Sequence, residues 1–433
     1  MTTTAAPTGT MRLLAGTGSG QRLGFGEHLS THGPLSMPRR KAASSWREQL
    51  LNELRISGLT GRGGGGFPTA VKLATARNSR KRPVMIINAM EGEPAAQKDS
   101  VLASFAPHLI IDGAQALGLL IDATSVVFAV ARDNPAAARS LEAAIDERRG
   151  RLDDQLEMSV VSPPGRYVAG EESALTHWLD GASALPTFRP QKPATMAVKG
   201  RQGVVDNAET AAHVALIARH GAAWFSSVGS QGGAGTTLVT ISGAVRDPGV
   251  FEVALGSPLR SILALAGASG SPTGVILGGY GGAVIGPEAL DAPYAPDGLR
   301  PHGGSVGAGV IIVLDAAACG ITETARLARW MAKESAGQCG PCVFGLPALA
   351  SDLELLASGR GDARIDRRIE RHLVTIDGRG ACGHPDGVVR LVRSALRVFN
   401  RDVNEHLHHR ACEAHRASSL LALPPNEGAL EWR

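Results

Sequence analysis

The sequence predicts an α/β domain with a mainly parallel sheet, then a small β-grasp-like module, then an all-α helical bundle. Three observations carry this. From about residue 46 apolar strands alternate with amphipathic helices, the rhythm of βαβ units. After the break "QGGAGTT" (231–237) the chain turns β-rich around an Asp-Pro-Gly turn. Beyond about Thr322 only helical periodicity remains. At 433 residues the chain is too long for one ordinary core, so several domains are expected.

Residues 1–45 are rich in Gly, Ser, Thr and Pro and read as an N-terminal tail with local turns. The α/β domain is expected over 46–232. Its first helix, "SSWREQLLNELRISG", starts at a serine cap and stops at Gly58. There follow the glycine loop "GRGGGGFPTAVKLATA", the buried strand "PVMIINAMEGEP", the helix "APHLIIDGAQALGLLIDA", the strand "SVVFAVAR" and the helix "PAAARSLEAAIDERRG". The rhythm continues through "MSVVSPPGRYVAGEESALTHWL" and "NAETAAHVALIARHG". The β-grasp module is expected over 233–318, closing with "GVILGG" and "GVIIVLD". The helical domain spans 319–400, and 401–433 read as a helix end and tail.

Composition narrows the function. The chain is 43% apolar and 19% charged, with 44 basic against 40 acidic residues, a mild and dispersed excess that argues against nucleic acid. Five cysteines are too sparse for a disulfide scaffold. The start "MTTTAAPTGTMRLLAG" lacks a basic region followed by a long apolar run, so no signal peptide is expected. No apolar run approaches the roughly 18 residues of a membrane span. A cytoplasmic protein without direct membrane insertion is expected.

Four stretches carry chemistry. In "GRGGGGFPTAVKLA", glycines precede a helix, so backbone N–H groups can approach an anion, with Arg62 and Lys72 adding charge. The spacing matches neither a P-loop nor a Rossmann fingerprint, which leaves phosphate or flavin-phosphate binding. "NAMEGEP" ends a buried strand where open α/β sheets hold ligands. Glu91 and Glu93 there are poor phosphate ligands and suit hydroxyl or amide groups. "GEES" (Gly170, Glu171, Glu172, Ser173) repeats that chemistry at a helix start, where acidic residues also favour the dipole. Cys339-Gly340-Pro341-Cys342 spells a thioredoxin motif but follows a helix and loop, the wrong context. With Cys382 in "GRGACGHPDG" three thiols can converge, and His384 would make a zinc-compatible Cys3His set; an iron–sulfur cluster is the alternative. In "HLHHRACEAH", His408, Cys412 and His415 share a helical face but read as an exposed tail, and Cys319 reads as a packed small residue.

Taken in order, "GLTGRGGGGFPTAVK", "NAMEGEP", "YVAGEESAL", "VVDNAET" and "ESAGQCGPC…GACGHPDG" resemble the FMN- and NADH-binding flavoprotein subunit of respiratory complex I. That family also includes diaphorase subunits of NAD-dependent hydrogenases and formate dehydrogenases. The resemblance covers roughly residues 45–400. It implies an α/β FMN-binding domain, a ubiquitin-like SLBB-type module and a helical iron–sulfur domain. The implied function is a soluble oxidoreductase subunit passing electrons from NADH through FMN to an iron–sulfur centre. A partner, ferredoxin or another redox subunit, would take them on.

Carried over by position, the resemblance assigns Gly61, Arg62, Gly63, Gly64 and Lys72 to the FMN phosphate and its surroundings. Asn88, Glu91, Tyr167, Gly170, Glu171, Asn207 and Thr210 would line the rest of the flavin. Phe67, Glu93, Glu172 and Arg189 would face NADH, and Cys339, Cys342 and Cys382 would hold the metal. No side chain is assigned a catalytic role, because FMN carries the chemistry.

The chain also departs from the family pattern. Ala336 stands at the first cluster-ligand position, so a three-cysteine variant of a [4Fe–4S] centre, or its loss, is anticipated. Met90 replaces an acidic residue beside the flavin, and Thr75 and Lys192 replace two aromatic positions, leaving Phe67 as the survivor. A divergent member follows, with two alternatives: a flavoprotein with a different donor, or a non-catalytic scaffold.

Overall fold

The computed structural model describes residues 11–77, 80–150, 154–188, 196–230, 232–268, 271–408, 412, 414, 419–421, 423–425 and 432–433. The first sheet runs in the order Glu157–Val161, Ser125–Val130, Val84–Ala89, Arg201–Asn207, Met196–Val198. Its first four strands pair in parallel, and Met196–Val198 closes the edge antiparallel. The central strand is apolar on both faces, with Met85, Ile86 and Ile87 fully buried, as a parallel sheet between helices requires.

Helices Pro107–Leu120 and Ala208–Ser226 pack on one another beneath this sheet. Gly113 permits it: a Cβ there would lie 1.7 Å from the Ala211 carbonyl oxygen. Their close approach fixes the start of helix Ala208–Ser226, and with it Asn207 at the carboxyl end of the sheet.

The second sheet has the order Ala283–Ile285, Gly274–Leu277, Val310–Leu314, Thr236–Gly243, Gly249–Ala254. The Thr236 and Val310 strands are parallel and the other pairs antiparallel. Helix Leu259–Leu265 packs into the core of this β-grasp module. The helical region comprises Gly320–Lys333, Leu346–Ala357, Ile365–Ile376, His384–Val398 and Asn400–Leu407. The last two are separated at Phe399, whose backbone (φ −95°, ψ 30°) leaves the helical region while its side chain buries. No helix among the described residues is long and apolar enough to cross a membrane.

The N-terminal stretch differs from the tail expected. Leu13, Leu14, Leu23 and Leu35 are buried, and Phe25–His32 is helical. The backbone N–H groups of Arg12, Leu13 and Leu14 donate to the Glu252 carboxylate at 2.8–3.1 Å. Its glycine-rich composition concealed scattered leucines that gain more from burial than the chain loses in entropy.

Candidate functional site

A cleft of about 470 Å³ opens where the three folded regions meet. That volume falls within the range of cofactor pockets. Its floor is the carboxyl edge of the parallel sheet, where Asn88 and Asn207 stand in register on neighbouring strands. Gly278, Gly281, Ser305 and Gly307 of the β-grasp module form one wall, and Met331, Cys382 and His384 of the helical region form another.

Four helices begin at this cleft: Lys98–Phe105, Glu172–Leu179, Ala208–Ser226 and His384–Val398. Their exposed N–H groups favour negative charge. Glu91 meets part of that demand, accepting from the N–H groups of Asp99 (2.8 Å) and Ser100 (2.9 Å) and from the Ser100 hydroxyl. It does so with a positive φ of 46°. Glu171 caps the next helix through the N–H groups of Ser173 and Ala174. Asn207 caps the third through Glu209 N–H at 3.0 Å.

Buried charge underlies the floor. Lys98 Nζ contacts Asp99 Oδ1 at 2.8 Å, Glu209 Oε2 at 3.0 Å and Asn207 Oδ1 at 3.3 Å. Burial would lower the Lys98 pKa, but Asp99 and Glu209 outweigh it and drive it up. Arg62 is buried beside them; its backbone N–H donates to Thr210 Oγ1 at 2.9 Å, and its Nε is buried with no hydrogen-bond partner. Two carboxylates at the cleft are pushed toward their neutral forms. Burial, reinforced by Asp99, raises Glu91 to about 7, and burial alone raises Glu93 to about 7. Glu93 accepts from Tyr280 N–H (2.8 Å), the Tyr167 hydroxyl (3.2 Å) and Ala95 N–H (3.4 Å). Tyr167 in turn packs edge-on against His384 and Trp330 of the helical region.

The cleft thus gathers Arg62, Gly63, Gly64, Asn88, Glu91, Glu93, Tyr167, Gly170, Glu171 and Asn207 from the residues named on sequence grounds. Gly61, Thr210 and Phe67 sit behind or beside it: Thr210 holds Arg62, and Gly61 N–H donates to the Phe67 carbonyl at 2.9 Å. Lys72 and Glu172 do not line the cleft; Lys72 Nζ is engaged by Glu172 at 2.6 Å and the Val205 carbonyl at 2.7 Å. A cation next to a buried sheet edge and an acid is spent on them before it can reach a phosphate. Arg189 and Lys192 lie outside the described residues. Sequence reasoning missed Lys98 and Asp99, the glycines of the β-grasp wall and Phe188. Phe188 is 69% exposed and follows Thr187, which lines the cleft.

The residues suit a flavin nucleotide. Helix N-termini and the buried Arg62, with its orphaned guanidinium nitrogen, match an anionic end. Glycines keep the walls close: a Cβ on Gly92 would meet the Tyr167 carbonyl oxygen at 2.6 Å. Soft thiols suit iron on the adjoining side. Cys342 is buried, its thiol pushed up to about 12 by burial and by neighbouring Cys339, while Cys382 lies on the cleft wall. His384 Nε2 is 2.9 Å from the Met331 carbonyl oxygen, and burial lowers its pKa to about 4. A second thiol group is unexpected. Cys319, His406 and Cys412 bring their donor atoms within 4.8 Å of one another. The helical face expected for His408, Cys412 and His415 is not seen: the helix ends at Leu407, and His415 lies outside the described residues.

Comparison with known proteins agrees with this layout. Residues 54–216 match the Nuo51 FMN-binding domain, 238–286 the SLBB domain, and 322–406 the NADH-ubiquinone oxidoreductase-F iron–sulfur binding region. The NADH-quinone oxidoreductase-F protein of Streptomyces coelicolor is 31% identical, over 88% of each chain. Its counterpart numbered 2 in Rhizobium meliloti is 30% identical, over 87% of this chain and 93% of its own. Mitochondrial NADH dehydrogenase [ubiquinone] flavoprotein 1 of Dictyostelium discoideum is 32% identical, over 83% of this chain and 79% of its own. A chain of the crystal structure of an air-oxidized NAD+-reducing [NiFe]-hydrogenase superposes with a TM-score of 0.77 at 29% identity, covering 87% of this chain and 67% of that one. Domain order and this extent of identity show that the chain belongs to the NADH-quinone oxidoreductase-F family.

Proposed function

We propose that the cleft between the three domains is where this chain takes electrons from NADH and hands them, by way of FMN, toward Cys382. The observation that carries this reading is that Cys382 shares the cleft wall with the flavin-site residues. As a family member the chain is an FMN- and iron–sulfur-containing oxidoreductase subunit of the NADH dehydrogenase type. Its partner is another redox subunit of a larger assembly; ferredoxin is one such acceptor, and the cytoplasm is the compartment we assign.

FMN, when bound, supplies the exchange between a two-electron donor and one-electron acceptors. The chain's own residues set the stage. Gly63, Gly64 and Arg62 would hold the phosphate end. Asn88 and Asn207 offer amides at the floor. Glu93, with a pKa of about 7, can accept or release a proton near neutral pH at the mouth. Phe67 and Phe188 are solvent-exposed aromatic surfaces suited to stacking a nicotinamide or adenine ring. Cys339, Cys342 and Cys382 would ligate the iron.

An anaerobic spectrum before and after NADH tests the proposal. Bleaching of bound flavin by NADH is the expected result. A flavin that dithionite reduces and NADH does not would favour a different donor, the reading that the substitutions at Thr75 and Lys192 also motivate.

A further inference from the structure

We propose that Cys319, His406 and Cys412 bind a single thiophilic cation, zinc in the first instance, which pins the C-terminal segment to the start of helix Gly320–Lys333. Their donor atoms all lie within 4.8 Å of one another, and Cys319 Sγ is 3.5 Å from His406 Nε2. A tetrahedral zinc ion, with Zn–S near 2.3 Å and Zn–N near 2.0 Å, requires ligand separations of about 3.5–3.8 Å. Such gathering of three donors around one point suits one ion; a multi-iron cluster spreads its thiolates over several metals.

The surroundings fit a metal ligand set. Cys319 is the N-cap of its helix, and its sulfur accepts from Thr322 N–H at 3.4 Å. Cys319 and His406 are buried and Cys412 is half-buried.

This group is separate from Cys339, Cys342 and Cys382. The two stand at opposite ends of the 14-residue helix Gly320–Lys333, a span of about 21 Å. Farther along that helix the C-terminal segment is tied down again. Leu420 N–H donates to Glu323 (3.1 Å), Arg326 to the Leu421 carbonyl (3.0 Å), and Trp330 Nε1 to the Pro424 carbonyl (2.9 Å). An ion at Cys319 would complete a row of tethers along one helix, and that helix leads directly into the Cys339 loop.

The full chain carrying Cys339→Ser and Cys342→Ser, stripped of metal and reduced, is titrated anaerobically with Co2+ and then Zn2+. We expect one ion per chain, thiolate-to-cobalt charge transfer, the intense visible bands of tetrahedral cobalt, and displacement by zinc. Adding Cys412→Ser should weaken zinc by more than about 100-fold, beyond the effect of losing an outer-shell partner. Zinc should also raise the melting temperature when Cys412 is present and not when it is replaced. Metal-free melting curves of the two proteins control for folding. Binding unchanged by Cys412→Ser, no binding below millimolar zinc, a Cys319–Cys412 disulfide in its place, or an iron–sulfur chromophore dependent on Cys412 would each overturn the assignment.

Discussion

Lys98 Nζ lies 3.0 Å from Glu209 Oε2, and the two side chains are 2% and 0% exposed. Asp99 and Asn207 complete the group, so one ammonium is shared between two buried acids directly beneath the cleft floor. The arrangement joins the start of helix Lys98–Phe105 to the start of helix Ala208–Ser226.

Replacing Lys98 with methionine keeps the volume and strands both acids. Breaking a buried pair in this way costs about 3–5 kcal/mol. In the native chain burial raises the Glu209 pKa, but Lys98 and then His213 outweigh it and hold it below the usual range. The native contribution is therefore present above the ordinary carboxylate pKa and is lost only as pH falls through the depressed value. Without Lys98 the pKa rises, so Lys98→Met should regain stability as pH falls from 8 to 5. Thermal melts across that range check this; a loss under about 2 °C at pH 8 would rule it out.

Glu93 titrates with the opposite sign. Its folded pKa, raised by burial to about 7, exceeds the ordinary 4.5. The associated stability is full below about 4.5 and disappears as pH rises through about 7. Glu93→Gln retains an oxygen for Tyr280 N–H and the Tyr167 hydroxyl and carries no charge. The flavin-free variant should come close to the native chain near pH 5 and exceed it at pH 8.5 by about 3 kcal/mol. Urea unfolding at the two pH values decides it, and parallel stability curves would refute the assigned pKa.

The fold was legible because its signals are local. Strand Val84–Ala89 is apolar from Val84 to Ile87, and helix Ile365–Ile376 buries Ile365, Ile369, Leu373 and Ile376 at helical spacing. The site was legible only where glycines and acids fall in short motifs. Lys98 escaped notice because a lysine opening a helix ordinarily faces solvent, although its place between a ligand strand and an apolar helix was a usable signal. The meeting of Glu93 with Tyr280 N–H depends on docking of the β-grasp module, 187 residues away. Cys319 and His406 are 87 residues apart, and no local pattern pairs them.

Phe188 bears on donor binding. It is 69% exposed and Phe67 46% exposed, large for aromatic side chains without a ligand to cover. An aromatic stacking contact is worth about 0.5–1.5 kcal/mol. Phe188→Ala and Phe67→Ala should each raise KM for NADH roughly 2- to 13-fold with little change in kcat. Steady-state kinetics with ferricyanide as acceptor provide the measurement. An unchanged KM for Phe188→Ala would leave Phe67 as the sole stacking surface of the two.

Ala336 tests whether the thiol centre is short of a ligand. Cys339 and Cys342 adjoin one another, and Cys382 is close enough to bear on both. Ala336 sits two residues beyond Glu334, which ends helix Gly320–Lys333 and contacts Arg166 of the α/β domain at 3.0 Å. The loop is thus anchored just before Ala336, and a thiol there enters a positioned segment. Ala336→Cys should raise iron and acid-labile sulfide per chain after anaerobic reconstitution and slow their loss to a chelator. Cys342→Ser, removing a buried ligand, should abolish both. Equal iron retention in Ala336→Cys and the native chain would mean that three cysteines already hold the centre as firmly as four.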